Sequence, residues 1–298
     1  MKTIILLTDF SLQANNAASY AYQFGQKIKA NIHLFNAFGI PEKNAIASQI
    51  PWSSDFVNLE DESSNLLKAL SLELKSKYNT NNIDDFNPEI SYSNCFGAVA
   101  DLVSEMVVQK AISLVVMSGP KSGKVSRLFF GSDTHDLLDK VICPVLIIPD
   151  GLEFKSVKKI TYATDLRSID TAVVKSISML ATIFISELTI AHVSSYTVKE
   201  KELNNEVFED VELYNNINFK NIKGKSIVQS LCDENINQNT DVMVLVHKKY
   251  HFPESIFHNS VSKQMANYSQ IPLLIYPYTY TEYLSQTKHQ TPSNNRQA

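Results

Sequence analysis

The sequence predicts an α/β protein made of two tandem copies of one domain. Two observations support this prediction: short apolar runs alternate with segments of helical period, and the whole series starts again halfway along the chain. Several of the runs are apolar on consecutive residues, as is required of a parallel strand that is covered by helices on both faces. The alternation therefore favours parallel sheets flanked by helices.

The first copy contains five apolar runs, which predict strands at residues 4–7, 32–35, 90–92, 114–117 and 145–148. Between the second and third runs, residues 55–78 have a helix-like spacing of apolar side chains. These side chains belong to Phe56, Leu59, Leu66, Leu67, Leu70 and Leu74. We therefore expect strands and helices to alternate throughout the first copy.

The second copy repeats the strands of the first copy in the same order. KITYATD at 159–165 corresponds to KTIILLTD at 2–9, the run at 241–246 corresponds to the fourth run, and IPLLIYP at 271–277 corresponds to CPVLIIP at 143–149. The first copy has about 28 more residues, which we assign to an insertion at about 38–88.

The repeat gives the predicted domain organisation. We expect a first domain at 1–150 and a second at 151–278, with residues 151–157 as a short linker between them. The polar residues 279–298 are predicted to form a disordered tail.

Composition limits the classes of partner. A net charge of −4 over 298 residues gives no broad attraction to nucleic acid or to anionic lipid, and no apolar stretch approaches the length of a membrane span. The three cysteines show no CxxC spacing, so neither a disulfide framework nor a zinc site is indicated. We expect a cytoplasmic protein that binds neither nucleic acid nor membrane.

Three segments together resemble the universal stress protein family: TDFS after the first strand, MSGPKSGKVSRLFFGS at 117–132, and CPVLIIP at the last strand of the first copy. The resemblance covers nearly the whole chain as a tandem pair. It implies two doubly wound, Rossmann-like domains, each with a five-stranded parallel sheet in the order 3-2-1-4-5. It also implies a ligand crevice where the first and fourth strands diverge, because open α/β sheets bind ligands at such a switch point.

The resemblance also implies a set of binding residues in the first copy. The family's nucleotide loop is similar to GxxG, nine residues, then G and S or T. Gly131 and Ser132 match its end, while its earlier glycine positions fall on Ser118 and Lys121. Gly119 and Gly123 lie out of step, so the phosphate cradle is either rebuilt around them or lost. The predicted cofactor-binding residues are Asp9, Ala37, Ser118, Gly119, Gly123, Gly131 and Ser132.

Two readings of this site stay open. Asp9 corresponds to the family's aspartate at the base or ribose, yet the same position suits helix capping together with Ser11. Ser132 can likewise act as a simple helix cap. In the second copy the loop VHKKYHFPESIFHNSVSK has no glycine, so we expect no nucleotide there.

The resemblance predicts a non-catalytic stress-response module that binds ATP or AMP in the first domain, with Mg²⁺ if a triphosphate is bound. The alternatives are a slow, nucleotide-sensing ATPase and a nucleotide-independent scaffold or small-ligand carrier with residues 38–88 as a lid. No GxSxG or HExxH motif is present, and the glycine loop lacks P-loop spacing. His247, His251 and His258 lack the partners of a metal site.

The two copies are expected to pair through their last strands as an intrachain pseudo-dimer, which would protect those strand edges. A further homodimer of chains and an unidentified protein partner are compatible with this arrangement.

Overall fold

The computed structural model describes residues 2–38, 54–119, 132–165, 171–194, 217–247 and 261–280. The described residues of the first half form five strands and four helices in alternation. All five predicted strands of the first copy lie within observed strands. The elements are β1 (Lys2–Leu7), α1 (Leu12–Ile28), β2 (Ala30–Phe38), α2 (Ser54–Tyr78), β3 (Ile90–Phe96), α3 (Val99–Gln109), β4 (Ile112–Ser118), α4 (Ser132–Lys140) and β5 (Val145–Ile148).

The second half repeats the five strands of this series, and residues 195–216, between its second and third strands, lie outside the described residues. Its first and last strands and the strand before the glycine-free loop were predicted, whereas the second and third strands of this half were not identified from the sequence. The elements are β6 (Lys159–Ala163), α5 (Thr171–Phe184), β7 (Glu187–Ser194), β8 (Ile217–Lys223), α6 (Ile227–Gln238), β9 (Val242–His247), α7 (Val261–Tyr268) and β10 (Leu273–Pro277).

All ten strands form one continuous sheet in the order β3-β2-β1-β4-β5-β10-β9-β6-β7-β8. Within each half the strands are parallel, and each half has the order 3-2-1-4-5, which confirms the predicted topology. Helices cover both faces, so strands such as β1 and β5 bury side chains on both sides. None of the helices in the described residues is long and apolar enough to cross a membrane.

The halves meet at an antiparallel pair of strands. Leu273 of β10 lies opposite Ile147 of β5, and Ile275 lies opposite Val145. The pairing removes two sheet edges, because β5 and β10 would otherwise end the two five-stranded sheets. The predicted association through the last strands is therefore confirmed.

An aromatic cluster also joins the halves on one face of the sheet. Phe24 of α1 lies 5.2 Å from Phe184 of α5, measured between ring centroids. Phe154, from the connection between the halves, packs edge-on against Tyr20 at 5.0 Å. The first helix of each half thus contributes to one shared core.

The predicted insertion at 38–88 contains α2. Leu67, Leu70 and Leu74 of this helix are buried in the core, whereas Leu59 and Leu66 are exposed. Since α2 buries its apolar stripe against the sheet, it belongs to the helical layer, and a lid formed by residues 38–88 stays a prediction. Residues 39–53 lie outside the described residues.

The chain continues past β10 into a short helical turn at residues 278–280. The Thr279 hydroxyl donates to the Val141 carbonyl, and the Tyr280 ring packs edge-on against Tyr276. These residues therefore fasten the end of the second half to the first half. Residues 281–298, which make up the rest of the predicted tail, lie outside the described residues.

His33 is buried on β2 between two serines of the neighbouring strand β3. Its Nδ1 and Nε2 each lie 2.8 Å from a hydroxyl, that of Ser91 and that of Ser93 respectively, and Lys110 Nζ lies 3.3 Å from Nε2. Burial, together with the positive charge of Lys110, lowers the pKa of His33 to about 4. Because an ammonium group only donates, Nε2 must accept, and Nδ1–H then donates to Ser91.

This neutral histidine predicts a loss of stability in mild acid. As the pH falls below about 6.5, the unfolded chain takes up a proton at this side chain while the folded chain does not until about pH 4, so protonation favours the unfolded state. We expect the free energy of unfolding to fall by about 2 kcal/mol across that window from this group. Urea unfolding at several pH values measures the effect.

Two variants serve as controls for this acid-induced loss. His33→Gln should remove the contribution, and Lys110→Met should reduce it because one cause of the lowered pKa is gone. Equal acid sensitivity of wild type and His33→Gln would show that His33 is not the source.

Candidate functional site

Four of the sequence-predicted residues, Asp9, Ala37, Ser118 and Gly119, lie at the carboxyl ends of β1, β2 and β4. The strand register pairs Leu7 with Phe35 and Leu6 with Val116. Asp9, Ala37 and Ser118 lie two residues beyond Leu7, Phe35 and Val116, respectively. This edge is the switch point of the first half, since the chain runs from β1 to β2 on one side and β4 lies on the other.

Asp9 lies in a tight turn between β1 and α1. Its Oδ1 accepts a hydrogen bond from the Ser11 amide at 3.0 Å, and the Ser11 hydroxyl in turn accepts from the Ala14 amide as the N-cap of α1. Asp9 and Ser11 therefore both take part in capping the start of α1, as one of the two interpretations of the sequence predicts. Among the described residues, no group donates to the other oxygen, Oδ2, of Asp9.

Backbone strain accompanies this turn. Phe10 has a φ of 62°, a conformation that a bulky side chain rarely adopts, and its ring packs against the core. Strain of this kind persists only where the surroundings enforce it, and it is concentrated at functional sites. Here the strained residue lies directly after Asp9, whose side chain is held by the Ser11 amide.

A buried amide network that the sequence did not predict supports the same edge. Asn36 Nδ2 donates to the Thr8 carbonyl at 2.7 Å, and its Oδ1 accepts from the Ser63 hydroxyl at 2.9 Å. All three residues are buried. The network ties the end of β2 to the end of β1 and to α2, so it fixes the β2 side of this edge. An asparagine inside the apolar run IHLFNAF was the available signal.

Ala37 is half-buried and lies opposite Cys95 in the sheet. The next pair, Phe38 and Phe96, packs edge to face with ring centroids 6.2 Å apart. Position 37 therefore has a small side chain at the end of β2, next to this aromatic pair.

Ser118 and Gly119 end β4 on the other side of the crevice. Ser118 is buried, and the Gly119 amide donates to the Ile148 carbonyl at 2.6 Å. A Cβ at position 119 would lie 3.1 Å from that carbonyl, so the close approach of β4 to β5 favours glycine. Since its amide is already engaged, Gly119 serves to position the start of the loop.

The remaining predicted residues lie in or beside the loop. Gly123 and Gly131 are outside the described residues, as is Lys121. Ser132 begins α4, and its side chain is likewise outside the description. The structure thus brings Asp9, Ala37, Ser118 and Gly119 together, and the phosphate-loop glycines stay a prediction.

The second half has a cavity of about 140 Å³ at the corresponding edge. Its walls combine apolar side chains from five elements with a few polar groups, among them Asp165, the counterpart of Asp9. The lining residues used below are Thr164, Asp165, His192, Leu231, Leu245 and Ser262. His192 Nδ1 lies 2.9 Å from the Thr164 carbonyl, to which it donates, and so closes one side.

Metal and thiol chemistry receive little support from the described residues. They contain no group of three or more His, Cys, Asp and Glu side chains that could hold a metal ion. Burial raises the pKa of the Cys143 thiol to about 12 and also raises that of Cys232. Both thiols therefore stay protonated and poorly nucleophilic at neutral pH.

This fold and edge define a class: tandem, doubly wound α/β proteins with a crevice at the switch point of each half. The model of the universal stress protein family matches residues 1–149. The chain belongs to that family.

Solved structures agree with this assignment at the level of the fold. A universal stress protein from Archaeoglobus fulgidus is 13% identical, with 92% of this chain and 97% of that chain covered and a TM-score of 0.70. A putative universal stress protein from Pseudomonas aeruginosa is 11% identical, with 97% and 98% covered and a TM-score of 0.55. A search of curated proteins finds no match.

Proposed function

We propose that this chain is a regulatory module that binds one adenine nucleotide, ATP or AMP, in the switch-point crevice of its first domain, residues 1–150. In this proposal residues 151–278 form a second domain that does not hold a nucleotide. The observation that carries the proposal is the convergence of Asp9, Ala37 and Ser118 on one edge of the sheet, where β1 and β4 diverge.

The chemistry of these residues suits the base and ribose end of a nucleotide. The Asp9 Oδ2 atom can accept from a ribose hydroxyl, and the backbone at Ala37 can pair with the edge of a base. The aromatic pair at the end of β2 and β3 adds an apolar wall. The phosphates would lie against residues 120–132, where Gly123, Gly131 and Ser132 are the proposed contacts. Mg²⁺ would accompany a triphosphate and would be held mainly by its phosphates.

We infer a role in signalling at this site. One oxygen of Asp9 holds the turn before α1 and the other is assigned here to the ribose, and Ser118 is buried, so this proposal leaves neither residue as the general base that slow ATP hydrolysis needs. Nucleotide occupancy would instead be read by a protein partner, in the cytoplasm, by the single chain or by a homodimer of chains.

Paired variants at equivalent positions test the proposal. Asp9→Ala should weaken ATP binding at least tenfold, because a charge-assisted hydrogen bond of about 1.5–3 kcal/mol is lost. Asp9→Asn keeps the Oδ1 acceptor for Ser11 but removes the charge, so it separates the ligand contact from the turn. Isothermal titration calorimetry measures both.

Asp165→Ala is the matched control, because Asp165 occupies the same place after β6. It should leave the affinity within about twofold of wild type. If Asp165→Ala abolishes binding while Asp9→Ala does not, the nucleotide lies in the second half. If ATP does not bind to the wild-type chain at all, the proposal fails.

A further inference from the structure

A chain of three side chains connects the two halves and ends at the cavity of the second half. The Ser262 hydroxyl lies 2.9 Å from His247 Nδ1, and His247 Nε2 lies 2.9 Å from Asp139 Oδ1. Asp139 belongs to α4 of the first half, whereas His247 ends β9 and Ser262 is in the first turn of α7. His247 and Ser262 meet within the second half, and Asp139 reaches them only because the halves are joined.

The hydrogen-bond directions follow from the chemistry of the groups. A carboxylate can only accept, so Nε2–H of His247 donates to Asp139. In the neutral imidazole, Nδ1 is then unprotonated and accepts the Ser262 hydroxyl proton. His247 is therefore held by Asp139 in the tautomer that can remove a proton from Ser262.

The serine also lies where a substrate could meet it. Ser262 is one of the residues that line the 140 Å³ cavity, although only 2% of its surface is accessible to bulk solvent. His247 is equally buried, so the pair lies in a low-dielectric environment.

This arrangement is specific to the second half. In the repeat, Pro144 corresponds to Pro272, and by the same offset Gly119 corresponds to His247 and Thr134 to Ser262. The first half thus has a glycine that approaches the Ile148 carbonyl closely, where the second half has an imidazole. The change removes a residue suited to a phosphate loop and introduces a base.

We propose that Ser262 is the nucleophile of a second, hydrolytic site that cleaves small uncharged carboxylic esters. His247 is the general base and Asp139 is a positioning residue. Such sites consist of a nucleophile, a base within hydrogen-bond reach and a third group that orients the base. This arrangement recurs on unrelated folds and is recognised by its geometry. This proposal concerns the second half and does not depend on nucleotide binding in the first.

The walls of the cavity select the substrate class. Leu231 and Leu245 surround an apolar space that fits a short, uncharged acyl chain. We therefore expect acetyl to butyryl esters of neutral alcohols to react, and phosphate esters not to react.

The reaction balances without any further cofactor. Ser262 Oγ attacks the ester carbonyl carbon while its proton passes to His247 Nδ1, and the resulting imidazolium is stabilised by Asp139. When the tetrahedral intermediate collapses, the carbon–oxygen bond to the alcohol breaks and Nδ1–H protonates the departing alcohol. Water then attacks the acyl–serine ester with the same proton transfers, which releases the carboxylic acid and restores Ser262.

A fluorophosphonate probe on the full-length protein tests the nucleophile. We expect one adduct per chain, mapped to Ser262 by peptide mass spectrometry, together with hydrolysis of p-nitrophenyl acetate. Ser262→Ala and His247→Gln should lower kcat by about 100-fold or more. Ser176→Ala is the matched control, because the Ser176 hydroxyl pairs with the Tyr276 hydroxyl and has no histidine partner in its hydrogen bond. It should retain full activity.

Asp139 provides a readout that a purely structural role would not give. Asp139→Asn should lower kcat with little change in KM, because Asp139 touches His247 and not the substrate, and Asp139→Glu should restore part of the rate. Melting temperatures of all variants show whether they fold. Absence of an adduct at Ser262 in the wild-type protein, or activity that survives in a folded Ser262→Ala variant, overturns the proposal and leaves the three residues as a clamp between the halves.

Discussion

Ile275→Asp is expected to prevent the whole chain from folding. Ile275 is fully buried at the centre of the joint, where it lies opposite Val145 of β5 on one side and beside Leu245 of β9 on the other. An ionised carboxylate there would have no partner, and its burial would cost more than about 5 kcal/mol, which is comparable to the total stability of a domain. Circular dichroism and limited proteolysis of the purified variant measure the effect.

The same substitution at an exposed isoleucine is the control. Ile185 is 91% exposed and has a φ of 56°, a conformation that aspartate tolerates better than a β-branched side chain. Ile185→Asp should therefore change the free energy of unfolding by no more than about 0.5 kcal/mol. A well-folded Ile275→Asp protein would show that the two halves do not depend on a shared sheet.

Phe24→Ala is expected to destabilise the protein by about 3–5 kcal/mol. The Phe24 ring is buried and contacts rings from its own helix, from the connection between the halves and from α5. Its loss leaves a cavity at the interface and removes edge-to-face and tilted ring contacts, each of which contributes about 0.5–1.5 kcal/mol beyond area burial. Urea unfolding gives the difference directly.

Phe96→Ala is the matched control, because Phe96 is 43% exposed and packs mainly against Phe38. It should cost about 1 kcal/mol. A double-mutant cycle between Phe24 and Phe184 should return a coupling energy of about 0.5–1.5 kcal/mol. If Phe24→Ala costs no more than Phe96→Ala, the aromatic cluster does not hold the halves together.

The sequence predicted the buried strands well because both of their faces are covered. β1, β4 and β5 are apolar on consecutive residues, and this pattern is distinctive. β7 and β8 lie toward one end of the sheet and are only partly buried, and the sequence INFKNIK of β8 alternates weakly. Such strands are defined by pairing with a neighbour, which a local pattern does not reveal.

The residues of the candidate sites also differ in whether the sequence could predict them. Asp9 could be predicted because it directly follows a strand whose end is visible in the sequence. The Asn36–Ser63 hydrogen bond joins residues 27 positions apart, and the His247–Asp139 contact joins residues 108 positions apart across the two halves. Contacts of this kind depend on the tertiary arrangement, so the second-half constellation became visible only in the folded chain.

The number of nucleotides bound per chain tests the account most directly, because only the first of two similar halves is proposed to bind. Native mass spectrometry of the intact protein with saturating ATP and Mg²⁺ measures this number. One nucleotide per chain, lost in Asp9→Ala and kept in Asp165→Ala, is the result that we predict. Two nucleotides per chain, or one that persists in Asp9→Ala, would contradict the account.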